Sequence, residues 1–140
     1  MTDEYVVGKT KDTGFQVGVR RTFPISLEQA WKYLTSREGV SIWLGTADNF
    51  HLIKGATYQA QGGASGEVRV VNRLENIRVT WQPKQWSQPS TIQVRVIPSG
   101  RDKTVVSFHQ EKLPDAAARE QMQLHWTSVL DELQKVWNAG

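Results

Sequence analysis

The chain has 140 residues, a formal net charge of +3 and no cysteine, which excludes disulfides, thiol catalysis and thiolate metal sites. Hydrophobic residues make up 39% and charged residues 22%, as is typical of one globular domain rather than a disordered chain. The positive excess is modest and forms no dense stripe, so we expect no nucleic-acid partner.

The N-terminal residues are polar and show no sustained periodicity. We therefore predict a flexible lead-in over residues 1–14, followed by a single domain over 15–140. The start lacks the basic and apolar segments of a signal peptide, and no apolar run approaches the roughly 18 residues of a membrane span. These features favour a cytoplasmic protein with no membrane partner.

A first strand is predicted over 15–23, followed by two short helices. One face of this strand carries alternating residues, namely Phe15, Val17, Val19, Arg21 and Phe23. Pro24 ends the strand, and Ser26 with Gln29 fits a capping box that starts the first helix. The pattern repeats at 35–38, which predicts a second helix running to Trp43 and Leu44.

The middle of the chain alternates strands with turn signals. Strands are predicted over 56–60, 66–71, 76–82, 90–98 and 104–111. The glycine-rich segment 61–66 is predicted to be a hairpin turn, and 83–89 a loop bounded by prolines.

A long helix is predicted over Leu113–Asn138, with Pro114 in its first turn. Its apolar residues recur at steps of three and four, namely Met122, Trp126, Val129, Leu133 and Trp137. Strands joined by short turns imply an antiparallel sheet. The whole order predicts an α+β domain in which helices cover one sheet face.

Three segments follow one another along the chain, namely 21–44, 66–81, and VVSFHQEKLP followed by the terminal helix. In this order they resemble the SRPBCC (START/Bet v 1-like, helix-grip) superfamily. More narrowly, they resemble the AHSA1-like family, named after the C-terminal domain of the Hsp90 ATPase activator. The resemblance implies a curved antiparallel sheet of about six strands wrapped around a long C-terminal helix, with two short helices after the first strand.

The resemblance also implies a ligand cavity between the sheet and the last helix. The residues expected to line it are Trp43, Leu44, Val79, Trp81, Val94, Phe108, Gln110, Met122 and Trp126. Gln110, Thr80 or Arg21 would orient a bound molecule. Members of the family often carry a histidine at the position of Gln110. Here His109 sits one residue earlier, so its side chain is expected on the opposite sheet face.

The other tryptophans admit two interpretations. Trp31 and Trp137 fall on amphipathic stripes, which favours a role in the core. Trp86 lies in the proline-bounded loop and is either a rim residue of the cavity or an exposed contact for a partner.

The sequence offers little for catalysis. His51, His109 and His125 show no HExxH spacing, no GxSxG elbow is present, and the segment 61–66 lacks the ending of a phosphate loop. We therefore expect no catalytic residue, no metal site and no cofactor.

Three functions remain open. The leading hypothesis is a non-enzymatic protein that encloses a small hydrophobic or amphipathic ligand, such as a lipid or aromatic metabolite. The alternative is a chaperone-associated module that binds an Hsp90-type partner, as the family name implies. A second alternative is a cyclase-like or hydrolase-like enzyme that uses the same cavity. The chain is expected to be a monomer or a homodimer.

Overall fold

A computed structural model describes residues 9–10, 14–47 and 50–138. The flexible lead-in predicted for residues 1–14 lies mostly outside the described residues. Two of its members form strand β1, Lys9–Thr10, whose backbone pairs with the strand that follows.

The described residues form one antiparallel sheet and three helices. The remaining strands are β2 (Gly14–Phe23), β3 (Thr57–Gln59), β4 (Ser65–Asn72), β5 (Asn76–Trp81), β6 (Ser90–Pro98) and β7 (Thr104–Leu113). The helices are α1 (Leu27–Leu34), α2 (Arg37–Trp43) and α3 (Ala116–Asn138). The sheet contains the six predicted strands, and β1 extends it at one edge.

The order of the strands in the sheet is β1-β2-β7-β6-β5-β4-β3, and neighbouring strands are antiparallel. From β7 to β3, each strand pairs with the one before it in sequence, because short turns join them. The pairing of β2 with β7 joins segments that are far apart in sequence, since it places Arg21 opposite Val106.

Alternation along the strands separates two faces of the sheet. The inner face is apolar and buried, and α3 covers it by contacting β2 and β7 while α1 contacts β6 and β7. On this face Ile77, Val94 and Phe108 lie side by side and are almost completely buried. The helix-grip architecture predicted from the sequence is therefore confirmed.

The start of α3 differs from the prediction. Leu113 belongs to β7 and pairs with Phe15, because a bulge at Lys112, whose φ is 64°, extends the strand. Pro114 precedes the helix, and the carboxylate of Asp115 accepts a hydrogen bond of 2.8 Å from the amide of Ala118. Asp115 thus caps the helix, which begins three residues later than predicted.

The first two helices begin at serine caps. Ser26 and Gln29 form the predicted capping box, with bonds of 3.1 and 3.0 Å. For α2 the cap is Ser36 rather than the predicted Thr35, because the hydroxyl of Thr35 bonds back to the carbonyl of Trp31 and ends α1. Among the helices of the described residues, none is long and apolar enough to cross a membrane.

Candidate functional site

A depression of about 320 Å³ opens where α2, the β3–β4 hairpin and the loop after β5 meet the N-terminal half of α3. We call it the mouth depression. Its lining consists of Leu44, Gly45, Thr46, Ala60, Gly62, Ala64, Trp81, Pro83, Gln85, Trp86, Gln121 and Met122. Among the described residues of this lining, none carries a titratable side chain, and the volume falls within the range of small-molecule sites.

One wall of the mouth depression is an aromatic pair. The rings of Trp81 and Trp86 meet edge to face, with centroids 5.4 Å apart. The loop that carries Trp86 is held by two hydrogen bonds. The side-chain amide of Gln82 donates to the Trp86 carbonyl at 2.8 Å, and the backbone N–H of Trp86 donates to the Pro83 carbonyl at 3.1 Å. Both rings remain half-buried, so they form a fixed apolar surface open on one side.

Small residues create the space. Ala60, Gly62 and Ala64 come from the hairpin that joins β3 and β4, and a Cβ added at Gly62 would meet nothing within 4 Å. The opposite wall is formed by Leu44 at the end of α2 and by Met122 on α3. Larger side chains in the hairpin would reduce the volume of the depression.

The structure brings three of the nine predicted site residues to this depression, namely Leu44, Trp81 and Met122. The other six do not line it. They lie deeper, between the sheet and α3, with no more than 1% of their surfaces exposed, and they are Trp43, Val79, Val94, Phe108, Gln110 and Trp126. A ligand would reach these six only if side chains of the core moved apart.

The deep group contains a chain of buried hydrogen bonds. The indole Nε1 of Trp126 donates to Oε1 of Gln110 at 2.9 Å, and Nε2 of Gln110 donates to Oγ of Ser90, also at 2.9 Å. The Ser90 hydroxyl donates to the carbonyl of Trp81 at 2.7 Å. The network therefore links α3, through three strands, to the aromatic wall of the mouth depression.

Aromatic packing fixes the rest of the deep group. The rings of Phe108 and Trp126 stack with centroids 4.8 Å apart and planes 13° apart. The indole of Trp43 donates a hydrogen bond of 2.9 Å to the carbonyl of Leu34, which ties α2 to the end of α1. Trp31 is buried, and Trp137 meets Phe23 edge to face, so both pack in the core as expected.

The polar residues suggested to orient a ligand are placed differently from the prediction. Thr80 lies on the outer face of the sheet, where its hydroxyl accepts a hydrogen bond of 2.8 Å from the amide of Glu67. The guanidinium of Arg21 is bound to Asp131 and Gln134 of α3, at 2.9 and 2.8 Å. Both amide atoms of Gln110 are used within the core. Thr80 is thus on the wrong face, because β5 alternates and its neighbours Val79 and Trp81 point inward.

The ionisable groups near the core are few. His109 points to the outer face and lies 3.0 Å from the Gln16 amide oxygen, so it is opposite in direction to Gln110, as predicted. Burial lowers the pKa of His125, and a hydrogen bond with the Trp43 backbone acts in the opposite direction. Burial raises the pKa of Tyr58, whose hydroxyl donates to the carbonyl of Thr80 at 2.6 Å. Within the described ranges, no group of three His, Asp or Glu residues could hold a metal ion.

Sequence reasoning missed part of the lining. Trp86 could not be assigned to the rim, and the small residues of 61–66 were interpreted only as a turn. The second interpretation was incomplete, since the same glycines and alanines that allow the turn also leave the depression open.

Comparison with known proteins places the chain among relatives of the same architecture. The family model described as "Activator of Hsp90 ATPase homolog 1-like protein" matches residues 24–138. A search of curated proteins finds no significant match.

Solved structures share the fold at low sequence identity. Protein MLL2253 from Mesorhizobium loti aligns with a TM-score of 0.75 and 22% identity, covering 89% of this chain and 97% of that one. PFC0360w, an HSP90 activator from Plasmodium falciparum, aligns with a TM-score of 0.73 and 17% identity, covering 86% and 94%. The Aha1 dimer from Colwellia psychrerythraea aligns with a TM-score of 0.72 and 15% identity, covering 87% and 95%. The chain therefore belongs to the family of Activator of Hsp90 ATPase homolog 1-like proteins.

Proposed function

We propose that the chain is a non-enzymatic binding protein for a small hydrophobic or amphipathic ligand, held first at the mouth depression. The observation that carries the proposal is the uncharged lining of this depression, in which Trp81, Trp86, Leu44 and Met122 supply apolar surface. Burial of apolar ligand surface there would contribute about 25 cal/mol per Å². Gln85, Gln121 and Thr46 supply the few hydrogen-bonding groups that orient a ligand.

The same lining argues for binding rather than catalysis. General acid–base chemistry needs a titratable group within hydrogen-bond reach of the substrate. The described residues that line the mouth depression offer none, and the deep residues beneath it are apolar apart from the satisfied network of Trp126, Gln110 and Ser90. A cyclase-like or hydrolase-like reaction would therefore need substrate-supplied acid–base groups.

The predicted deep cavity remains part of the proposal as a second stage. A ligand larger than about 320 Å³ would enter by separating the Trp81 wall from Met122, and it would then meet Trp126 and Phe108. The Ser90 bond to the Trp81 carbonyl links this wall to the core, so deep binding would disturb the network.

The test is native mass spectrometry of the gently purified protein together with a titration of tryptophan fluorescence, using a long-chain fatty acid and a naphthalene-type probe as ligands. Gly62→Leu should fill the depression, and Trp86→Ala should remove half of the aromatic wall. Both variants should weaken binding roughly tenfold, because each reduces the apolar ligand surface that is buried by about the area of one large side chain. Leu124→Ala, which removes an exposed apolar side chain outside the lining, is the matched control.

Unchanged affinity in both Gly62→Leu and Trp86→Ala would reject the mouth depression as the site. Failure of wild-type protein to bind either probe and to carry any co-purified mass would reject the ligand-binding function.

The alternative function is a chaperone-associated module, which family membership and the likeness to an HSP90 activator support. An Hsp90-type protein from the same cell would then be retained by the immobilised chain and would show altered ATPase activity. Absence of both effects, with ligand binding present, would favour the binding protein.

A further inference from the structure

The outer face of the sheet carries a polar groove on the side opposite α3. The groove measures about 940 Å³ and crosses β7, β6, β5 and β4, flanked by the loop before β6 and by the corner between β7 and α3. Its floor includes Glu111, Thr91 and Thr80, which belong to neighbouring strands and face away from the core. We call it the outer groove.

Basic side chains stand at both ends of the outer groove. Lys112 lies at the β7 end, and Arg69 and Arg78 lie at the β4–β5 end, with Lys54 nearby. Only Arg69 has an acidic partner among the described residues, Glu67 at 3.8 Å, and its side chain is still 60% exposed. Lys54, Arg78 and Lys112 have no ion pair with any described residue, so three positive charges face solvent in one groove that contains one carboxylate.

The position of Arg78 is fixed by its neighbours. Its Nε donates to Oε1 of Gln93 on β6 at 2.8 Å. The same oxygen accepts a hydrogen bond of 3.2 Å from the side-chain amide of Asn76. The bond through Nε leaves the terminal guanidinium nitrogens free of any side-chain partner in the described chain. A guanidinium held in this way can donate two parallel hydrogen bonds to a carboxylate.

Lys112 is held in an unusual backbone conformation. Its φ of 64° lies in the left-handed region, which costs a side-chain-bearing residue more than glycine. The bulge at this point changes the direction of the strand and places Lys112 in the lining of the groove. Glycine would adopt this conformation more easily, so replacing Lys112 by glycine removes the charge without straining the backbone.

The spacing of the charges indicates an extended ligand. Two gaps between neighbouring strands separate Lys112 on β7 from Arg78 on β5, which is about 10 Å, and a third gap reaches Arg69 on β4. About three to four residues of an extended peptide span this distance, so two of its carboxylates can meet both ends at once. The carboxylate of Glu111 in the floor repels a continuous row of phosphates but accepts hydrogen bonds from peptide amides. The lining contains no aromatic ring on which bases could stack.

We propose that the outer groove binds an acidic, extended segment of a partner protein, with carboxylates at the Lys112 end and at the Arg78 end. The proposal is independent of the ligand function, because the mouth depression lies on the other side of the sheet. A symmetric contact between the outer grooves of two copies is disfavoured, since two basic grooves repel each other.

The experiment is fluorescence anisotropy of a labelled peptide of eight glutamates with the full chain. Saturable binding is expected at low salt, and it should weaken as salt is raised because the charges are exposed. Arg78→Glu should weaken binding roughly tenfold, and Lys112→Gly roughly threefold. Lys112→Gly should also leave thermal stability unchanged or raised, because glycine relieves the left-handed conformation.

The matched control is Arg101→Glu, which makes the same charge change at the opposite end of the β6–β7 hairpin. Equal weakening by Arg101→Glu and Arg78→Glu would show only a general charge effect and would overturn the proposal. Absence of saturable peptide binding at low salt, or tighter binding of an eight-nucleotide single strand than of the peptide, would also overturn it.

Discussion

Single residues decide how the space between sheet and helix is used. Gln110 stands where family members often carry a histidine, and its amide is consumed by Trp126 and Ser90. A neutral amide satisfies both partners without titrating, so the interior keeps the same hydrogen bonds across the physiological pH range. This residue therefore acts as a structural link between α3 and the sheet.

Replacing Gln110 by Leu should destabilise the fold by about 1–3 kcal/mol, because it leaves the buried Trp126 N–H without an acceptor. Urea unfolding of the two proteins measures the difference. The double variant Gln110→Leu with Trp126→Phe removes the orphaned donor as well, so it should recover part of that loss. Strict additivity of the two substitutions would contradict a direct energetic coupling between Gln110 and Trp126.

His125 gives the fold a pH dependence of known sign. Burial lowers its pKa in the folded state, so the unfolded chain binds more protons between the folded pKa and about 6.5. Stability should therefore be fully present above about pH 6.5 and should fall as the pH drops through this window. The effect is small, because much of the residue remains exposed.

Thermal unfolding of the wild type and of His125→Gln between pH 8 and 5 tests this prediction. The wild type should lose more stability than the variant on acidification, while the carboxylates titrate alike in both. A variant that loses as much stability as the wild type would contradict a role for His125.

At the scale of elements, the junction of α1 and α2 depends on Gly39. A Cβ at this position would overlap the carbonyl oxygen of Tyr33 at the end of α1, and the Gly39 amide is already bound to Ser36 Oγ at 3.1 Å. Gly39→Ala should cost about 1–3 kcal/mol, as overpacking of a tight contact does. Chemical denaturation measures it, with Gly62→Ala as the control in open space. Equal stability of the two variants would show that the junction can relax.

The sequence predicted most elements because their signals are local. The capping box at Ser26 and the alternation of β5, β6 and β7 each involve residues a few positions apart. The start of α3 could not be predicted, because the bulge at Lys112 depends on pairing between β7 and the distant β2. The cap of α2 was displaced by one residue for a different, local reason, since the hydroxyl of Thr35 is bound to the carbonyl of Trp31 in α1.

The candidate site was predicted less completely than the fold. Face alternation placed the five strand residues among the nine on the inner side, and helical spacing placed Met122 and Trp126 on the buried stripe of α3, but neither pattern carries information on depth. Whether Trp126 borders an open space or fills it depends on its stacking with Phe108 and its bond to Gln110, which are contacts between distant elements. Trp86 could not be placed, because the conformation of its loop depends on the Gln82 hydrogen bond.

For the whole molecule, the pairing of β2 with β7 means that the two ends of the domain stabilise each other. Phe15 lies opposite Leu113, so the sheet closes only when nearly the entire chain is available. Such long-range pairing predicts slow folding for a domain of this size. The inner face of the sheet then needs α3 to cover it.

Removal of residues 115–140 should therefore abolish cooperative folding. The truncation exposes the inner faces of β2 and β7, and it removes Trp126, Leu133 and the other buried residues of α3. The lost apolar burial is comparable with the whole stability of a typical domain, about 5–15 kcal/mol. Circular dichroism and urea titration should show a broad, non-cooperative transition or aggregation. Deleting only residues 139–140 is the matched control and should retain the wild-type transition. A sharp transition in the long truncation would mean that the sheet is stable without α3, and the helix would then be a cover that could move aside for a ligand.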